Sequence, residues 1–564
     1  FQAEDGIRDL VRSRGLGDVY KRQALMADIF PRIGYVEIED ALTVNTGGIG
    51  NMIAGVDVDG DGKLEIYMVN DNWNDTASEL VPRIYKYEQD DDGEWALVWS
   101  AEAPTSLVEA QNTWPILKLT DLDKDGKMEL LWGVVNNLGT NQNPARFLVY
   151  EHDEGDNFGV YNDGVWEPNA SWSITEDDGM NIRPMSCVVS DIDGDGTDEI
   201  IFAGRTTGMR IGIASVDNIP DNGDGSETWT LEYSLAGGDD GYTGDNKWDV
   251  AVLGSNAYFF CEKEISKVSW DGSAYVYTAL DPLPGGISFD AVQVCDLDGN
   301  GTLEMVTGEY AYGESVRNIW LLEEDGDSLK RTQLFDINGE DMLNGGRLSG
   351  GAMGDIDGDG YMDFVFGSRY SGPPNGMIFW VAYNGGAIDD PANWEVSIID
   401  SAYAYEDLPS GGIWNVIEIA NIDDDKGMEV LYTSSTSIPY SEEYASVNIS
   451  APVIILDSPN TDPVSVSPIS GPSAFQLHQN HPNPFNPTTS ISFTLDIASD
   501  VLINVYDMSG RKVTTLTKDS YSAGTHSVVW DGLDNDGNPV ASGVYTYQMR
   551  AGNKILAKRM VFMK

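Results

Sequence analysis

Residues 57–65 read DVDGDGKLE and sit between two short apolar segments, NMIAGV at 51–56 and IYMVN at 66–70. The pattern Asp-x-Asp-x-Asp-Gly-x-x-Glu/Asp returns as DLDKDGKME at 121–129, DIDGDGTDE at 191–199, DLDGNGTLE at 296–304 and DIDGDGYMD at 355–363. A sixth copy, NIDDDKGME at 421–429, is degraded: Asn421 opens it and Lys426 stands where the glycine belongs. Successive copies begin 59–70 residues apart, except for one step of 105 that has room for two units. A near-constant period of this size marks a repeat architecture.

The flanks say what one unit is. A strand-length apolar segment precedes each motif (WPILKLT, MSCVVS, DAVQVC, SGGAMG, WNVIEIA) and another follows it (LLWGVV, IIFAG, MVTGEY, FVFGS, VLYTS). Both are rich in β-branched and aromatic residues. Two more strands follow in most units, such as RIYKYEQ and EWALVWS. The long step hides a unit without the motif: KWDVAVL, NAYFFCEK, EISKVSW and SAYVYTA read as four strands, and Gly254-Ser255-Asn256 replaces the acidic loop. Counting it gives seven four-stranded units. The predicted fold is all-β, a seven-bladed β-propeller (residues 24–457) followed by a small C-terminal β-sandwich. Ring closure is expected between a strand near Gly34–Ala41 and strands near Ala451–Asp457.

The repeats resemble the FG-GAP (VCBS-type) family, which also forms the integrin α-subunit propeller. The small-residue step after the motif, at Trp132-Gly133, Ala203-Gly204, Thr307-Gly308 and Phe366-Gly367, adds to the resemblance, which spans roughly residues 34–457. Chemically, side chains at positions 1, 3, 5 and 9 converge if the loop curls, and the glycine at position 6 permits the turn. A backbone carbonyl at position 7 completes a cage of oxygens, the donor set calcium takes. The candidate ligands are Asp57, Asp59, Asp61, Lys63 and Glu65; Asp121, Asp123, Asp125, Lys127 and Glu129; Asp191, Asp193, Asp195, Thr197 and Glu199; Asp296, Asp298, Asn300, Thr302 and Glu304; and Asp355, Asp357, Asp359, Tyr361 and Asp363, with Lys63, Lys127, Thr197, Thr302 and Tyr361 offering only their carbonyls. Five Ca2+ sites are expected. The degraded loop, with Asn421, Asp423, Asp425 and Glu429, leaves a sixth open. EF-hands are disfavoured, because their bidentate Glu at position 12 is here Met68, Trp132, Phe202, Thr307 or Phe366. Metal-free acidic turns and magnesium or manganese sites stand as alternatives. The metal's expected role is structural, since no nucleophile adjoins these loops.

Composition narrows the function. The chain has 564 residues, 92 acidic and 33 basic, for a net charge of −59. Nucleic acid is an unsuitable partner, since phosphate recognition needs clustered Lys and Arg. No apolar run is long enough for a membrane-spanning segment. Three cysteines cannot build a disulfide framework. Only His152 precedes residue 470, which argues against a histidine-based triad or multi-histidine metal site in the main body. Residues 1–23 carry five of the 33 basic residues and resemble translated sequencing-adapter read-through, so they are set aside from fold reasoning.

A linker rich in Pro, Ser and Asn occupies 458–474, and the composition then changes. Asn-Pro-Phe-Asn-Pro at 483–487, Tyr506-Asp507-x-x-Gly510-Arg511, Ser542-Gly543-Val544-Tyr545 and the basic ending KRMVFMK resemble the type A C-terminal sorting domain of type IX secretion cargo. That resemblance covers 475–564. It implies dealings with the type IX secretion machinery and a secreted or cell-surface location; an Ig-like module without a targeting role is the alternative. The function expected is a non-catalytic binding or adhesion module for an extracellular glycan or protein, with Trp73 and Trp166 as candidate sugar-stacking residues. The alternative is an extracellular polysaccharide lyase or glycosidase. A deep central pocket holding carboxylates, Arg or Tyr outside the metal loops would favour the enzyme.

Overall fold

The computed structural model describes residues 30–36, 49–70, 82–90, 93–104, 114–134, 145–153, 155–174, 182–205, 208–260, 264–280, 287–311, 318–336, 347–369, 377–401, 416–422, 427–433, 453–458, 476–477, 480, 485–495, 499–507, 512–521, 524–535, 538–541, 543–551 and 554–562. The chain divides into two compact units, Phe1–Thr461 and Asp462–Lys564.

Among the described residues, the first unit holds seven four-stranded antiparallel sheets. Sheet 1 runs Ile49–Val56, Glu65–Asn70, Arg83–Gln89 and Trp95–Glu102 in simple up-and-down order. Sheets 2 to 6 repeat the order, beginning at Ile116–Thr120, Arg183–Ser190, Asp249–Leu253, Ile287–Cys295 and Arg347–Gly354. The motif-less sheet 4 forms from the four segments expected of it, Asp249–Leu253, Asn256–Phe260, Ser266–Trp270 and Tyr275–Ala279. Sheet 7 is made from both ends of the unit: Ile417–Ala420, Glu429–Tyr432 and Val453–Leu456 are joined by Arg32–Val36, which pairs antiparallel with Val453–Leu456. Meanders stacked face to face in this way make a β-propeller-like arrangement.

The core lies between sheets. Tyr67, Val69, Leu130 and Trp132 belong to one buried cluster shared by sheets 1 and 2; further clusters join each successive pair, and one joins sheet 7 to sheet 1 through Ile455, Leu431, Ile49 and Met52. Second strands therefore pack on both faces, which explains why EIYMVN and ELLWG are buried throughout rather than alternating. Fourth strands face solvent and alternate loosely, as in TWTLEYSLA. The small-residue step has a steric cause. A Cβ on Gly308 would lie 2.6 Å from Leu348 Cβ in the next sheet, so glycine sets how closely sheets 5 and 6 approach.

The second unit has two sheets, Gln476–Leu477/Thr489–Leu495/Gly524–Trp530 and Lys512–Tyr521/Ser499–Asp507/Gly543–Ala551/Lys554–Phe562. Ile491, Phe493, Ile503, Trp530 and Tyr547 share the core, the packing of a β-sandwich. Among the described residues no helix is long and apolar enough to cross a membrane.

Gly308→Ala tests the sheet spacing. The added methyl must push Leu348 aside, and the expected cost is about 1–3 kcal/mol. Denaturant unfolding followed by tryptophan fluorescence measures it; unchanged stability would contradict the close approach.

Candidate metal centres and the central cavity

Each acidic loop joins the first and second strands of its sheet. Position 9 is the first residue of the second strand, so its carboxylate is drawn into the core. Glu65, Glu129, Glu199, Glu304, Asp363 and Glu429 are all buried. Each receives the backbone N–H of position 2: Val58 to Glu65 at 3.0 Å, Leu122 to Glu129 at 2.5 Å, Ile192 to Glu199 at 2.9 Å, Leu297 to Glu304 at 3.0 Å, Ile356 to Asp363 at 3.1 Å and Ile422 to Glu429 at 2.8 Å. The remaining side chains wind the loop around themselves. Position 1 accepts from the position 6 N–H, as Asp191 does from Gly196 at 3.1 Å and Asp296 from Gly301 at 2.8 Å. Position 3 accepts from position 5, as Asp193 does from Asp195 at 2.9 Å. Position 5 accepts from position 7: Asp61 from Lys63, Asp125 from Lys127, Asp195 from Thr197, Asn300 from Thr302 and Asp359 from Tyr361, all at 2.7–2.9 Å.

This winding needs left-handed backbone at position 4 as well as position 6. Gly194 has φ 77° and Gly196 φ 98°; in the second loop Lys124 occupies position 4 at φ 59°. The sequence expectation covered position 6 alone; the recurring Gly-Asp-Gly carries the same signal at position 4.

The carboxylates of positions 1, 3, 5 and 9 gather in full in the second loop and in part in the first and third. In the second loop Asp121, Asp123, Asp125 and Glu129 bring one oxygen each within 4.8 Å of one another; Asp57, Asp59 and Asp61 do so in the first, and Asp191, Asp193 and Glu199 in the third. In the fourth and fifth loops Asp298 and Asp357 likewise accept from the N–H at position 5, and Asp355 from Gly360. In the degraded loop Asn421 donates to the Gly427 carbonyl, while Asp423 and Asp425 lie outside the described residues. Two features fit a cation. Glu129 Oε1 and Glu199 Oε1 are fully buried with no hydrogen-bond partner. Burial, with neighbouring aspartates adding, pushes Glu129 up to about 9 and Glu199 and Asp363 up to about 8.

Several residues that the motif did not reveal complete the rim. Lys63 pairs with Glu88, and Lys127 bridges Glu151 and Asp221 at 2.6 Å each. Asp123 also accepts from the Ile219 N–H of sheet 3's outer segment at 2.8 Å. Lys86, in the third strand of sheet 1, meets Glu65 at 2.6 Å, Asp156 at 2.8 Å and Asp59 at 3.5 Å.

A central cavity of about 400 Å³ is lined by residues of the first strand of every sheet. Most of its polar side chains bridge sheets. Asn51 donates to the Pro115 carbonyl at 3.0 Å, and Gln293 to the Gly351 carbonyl at 3.2 Å. Asp249 accepts from Ser186 Oγ and the Val250 N–H on one oxygen and from the Val292 N–H on the other, at 2.8–2.9 Å. Lys118 and Glu418 remain without such bonds. Burial pushes Glu418 up to about 7, with the Lys118 ammonium opposing. Trp73 lies outside the described residues; Trp166 is half-buried, and its ring centre stands 4.9 Å from that of Tyr161, which is 62% exposed on the same hairpin.

Comparison with known proteins agrees with the repeat reading over part of the chain. Residues 57–132, holding the first two loops, match the FG-GAP-like repeat family, and residues 480–554 match the FlgD Ig-like domain. No curated protein matches. Solved structures with some likeness include the N-terminal domain of Nup159 (10% identity, 76% of this chain and 95% of that one, TM-score 0.38). Another is an α-L-arabinanase of Penicillium chrysogenum complexed with arabinobiose (10%, 76% and 98%, TM-score 0.36). A third is PorZ, a surface component of the type IX secretion system of Porphyromonas gingivalis (12%, 92% and 81%, TM-score 0.19). At these scores none of the three bears on activity.

The raised carboxyls set a pH dependence. An acid whose folded pKa lies above its unfolded value contributes stability that is complete below the unfolded pKa, about 4.5 for Glu, and is lost as pH rises through the folded value. In chelator, the first unit therefore melts higher at pH 5 than at pH 8, and Glu129→Gln flattens that difference. Calorimetry at the two pH values checks both; a midpoint that rises with pH would contradict the burial.

Proposed function

We propose that this chain is an exported, non-catalytic binding protein: a calcium-stabilised seven-bladed β-propeller followed by an Ig-like domain that directs type IX secretion. The observation that carries the non-catalytic reading is the state of Asp249. Glycoside hydrolysis needs two available carboxyls about 5–10 Å apart. Three donors already hold both oxygens of Asp249. Glu418 is then the one cavity carboxyl, among the described residues, left for chemistry. The cavity itself and the near-neutral Glu418 favour the second reading, a polysaccharide lyase or glycosidase, which lacks its second group.

Seven sheets with a buried cluster between each successive pair, and sheet 7 built from both ends of the unit, support a closed ring. Calcium is supported by the orphaned oxygens of Glu129 and Glu199. It would be held by the carboxylates at positions 1, 3, 5 and 9 with the position 7 carbonyl, and when bound it would neutralise charges that otherwise repel. Extracellular calcium modules bind at roughly 10⁻⁴–10⁻³ M, which suits an exported protein. The sorting role rests on the motifs at 483–487, 506–511 and 542–545. The Tyr161–Trp166 pair offers an exposed aromatic face for a glycan or protein surface.

A glycan array probed with the calcium-loaded chain, paired with a reducing-end assay, tests the reading. Retention on the array without new reducing ends is expected, with Tyr161→Ala weakening it about tenfold, the ~1–3 kcal/mol scale of one stacked aromatic. New reducing ends abolished by Glu418→Gln would overturn it in favour of the enzyme. Calcium should raise the melting midpoint and chelator lower it; fusion of residues 475–564 to a reporter should carry it outside a type IX host.

A further inference from the structure

We infer that the first acidic loop carries its cation built into the chain: the Lys86 ammonium does there what calcium is proposed to do in the second and third loops. This rests on the calcium reading and changes its stoichiometry.

The Lys86 side chain is 0% exposed, and its Nζ lies 2.6 Å from Glu65 Oε1, 2.8 Å from Asp156 Oδ1 and 3.5 Å from Asp59 Oδ2. Glu65 Oε2 accepts from the Val58 N–H at 3.0 Å and from Tyr67 Oη at 2.8 Å. Every oxygen of Glu65 is therefore engaged. Glu65 Oε1, like the matching Oε1 of Glu129 and of Glu199, is buried without a hydrogen bond, but it alone of the three has an ammonium against it, the Lys86 Nζ at 2.6 Å. Position 5 follows suit, because Lys63 Nζ stands 3.1 Å from Asp61, against 3.9 Å for Lys127 and Asp125 in the second loop.

Strand register shows that the lysine is particular to this loop. Lys86 pairs with Tyr67, two residues beyond the position 9 carboxylate. The same register position is Val149 in sheet 2, Ile213 in sheet 3, Leu321 in sheet 5, Trp380 in sheet 6 and Ile455 in sheet 7. Five apolar side chains stand where sheet 1 has an ammonium. A divalent ion sharing Asp59 and Glu65 would meet that ammonium at contact range, and like charges at such distances repel strongly in a buried site. The lysine also reaches Asp156, in the segment after the third strand of sheet 2, so it joins two sheets at the rim without metal.

Counting calcium bound to the full chain, by equilibrium dialysis and elemental analysis, tests this. Glu129→Gln should lose one equivalent, Glu65→Gln none, and Lys86→Met should gain one. Loss of an equivalent in Glu65→Gln, or a folded Lys86→Met with an unchanged count, overturns the inference while leaving the calcium reading intact. If Lys86→Met fails to fold, Glu65→Gln decides alone. A wild-type chain that binds no calcium overturns both, a result distinct from the others because Glu129→Gln then changes nothing.

Discussion

The structure turns on a buried carboxylate at the head of each second strand. Strand periodicity forces position 9 of the loop inward, where it clasps the N–H of position 2 and closes the turn between the first two strands. Burying such a group is unfavourable unless its charge is met. The aspartates at positions 1, 3 and 5 cannot meet it, because they are acids themselves. Each loop therefore gathers carboxyl groups whose repulsion a proton or a cation relieves, and the first loop differs in having the Lys86 ammonium against its buried carboxylate.

A second set of polar groups works at the other edge of the sheets. The first strands crowd together around the cavity, and their side chains are spent on joining neighbours: Asn51 to sheet 2, Ser186 and Asp249 across sheets 3, 4 and 5, Gln293 to sheet 6. Asp249, with three donors on it, joins sheets, whereas Glu418, which burial pushes up to about 7, makes no such bond.

Between the acidic rim and the cavity lies apolar packing of the ordinary kind. Its demanding feature is close approach: Gly308 leaves no space for a side chain against Leu348 of the next sheet, and Gly133 none against Ile116 of its own sheet. These glycines that follow the acidic motif serve close packing, whereas those inside the motif serve backbone geometry.

The sequence by itself determined the repeat, the four strands per unit, the motif-less sheet 4 and the recurring acidic loop, because all of these are local. Alternation, turn residues and a nine-residue loop are written within one stretch of chain, and KWDVAVL reads as a strand without knowing its neighbours. The pairing of the first described strand with Val453–Leu456 was legible too, although the paired residues, Arg32–Val36, begin before the stretch expected. Only the tertiary structure decided which charges meet. Lys86 sits inside an otherwise unremarkable strand, RIYKYEQ, and its partners come from 21 to 70 residues away along the chain. Asp249 likewise accepts from the N–H of Val292, 43 residues on. Coulomb and hydrogen-bond partners are fixed by where sheets stack, and stacking brings together residues that no local pattern relates.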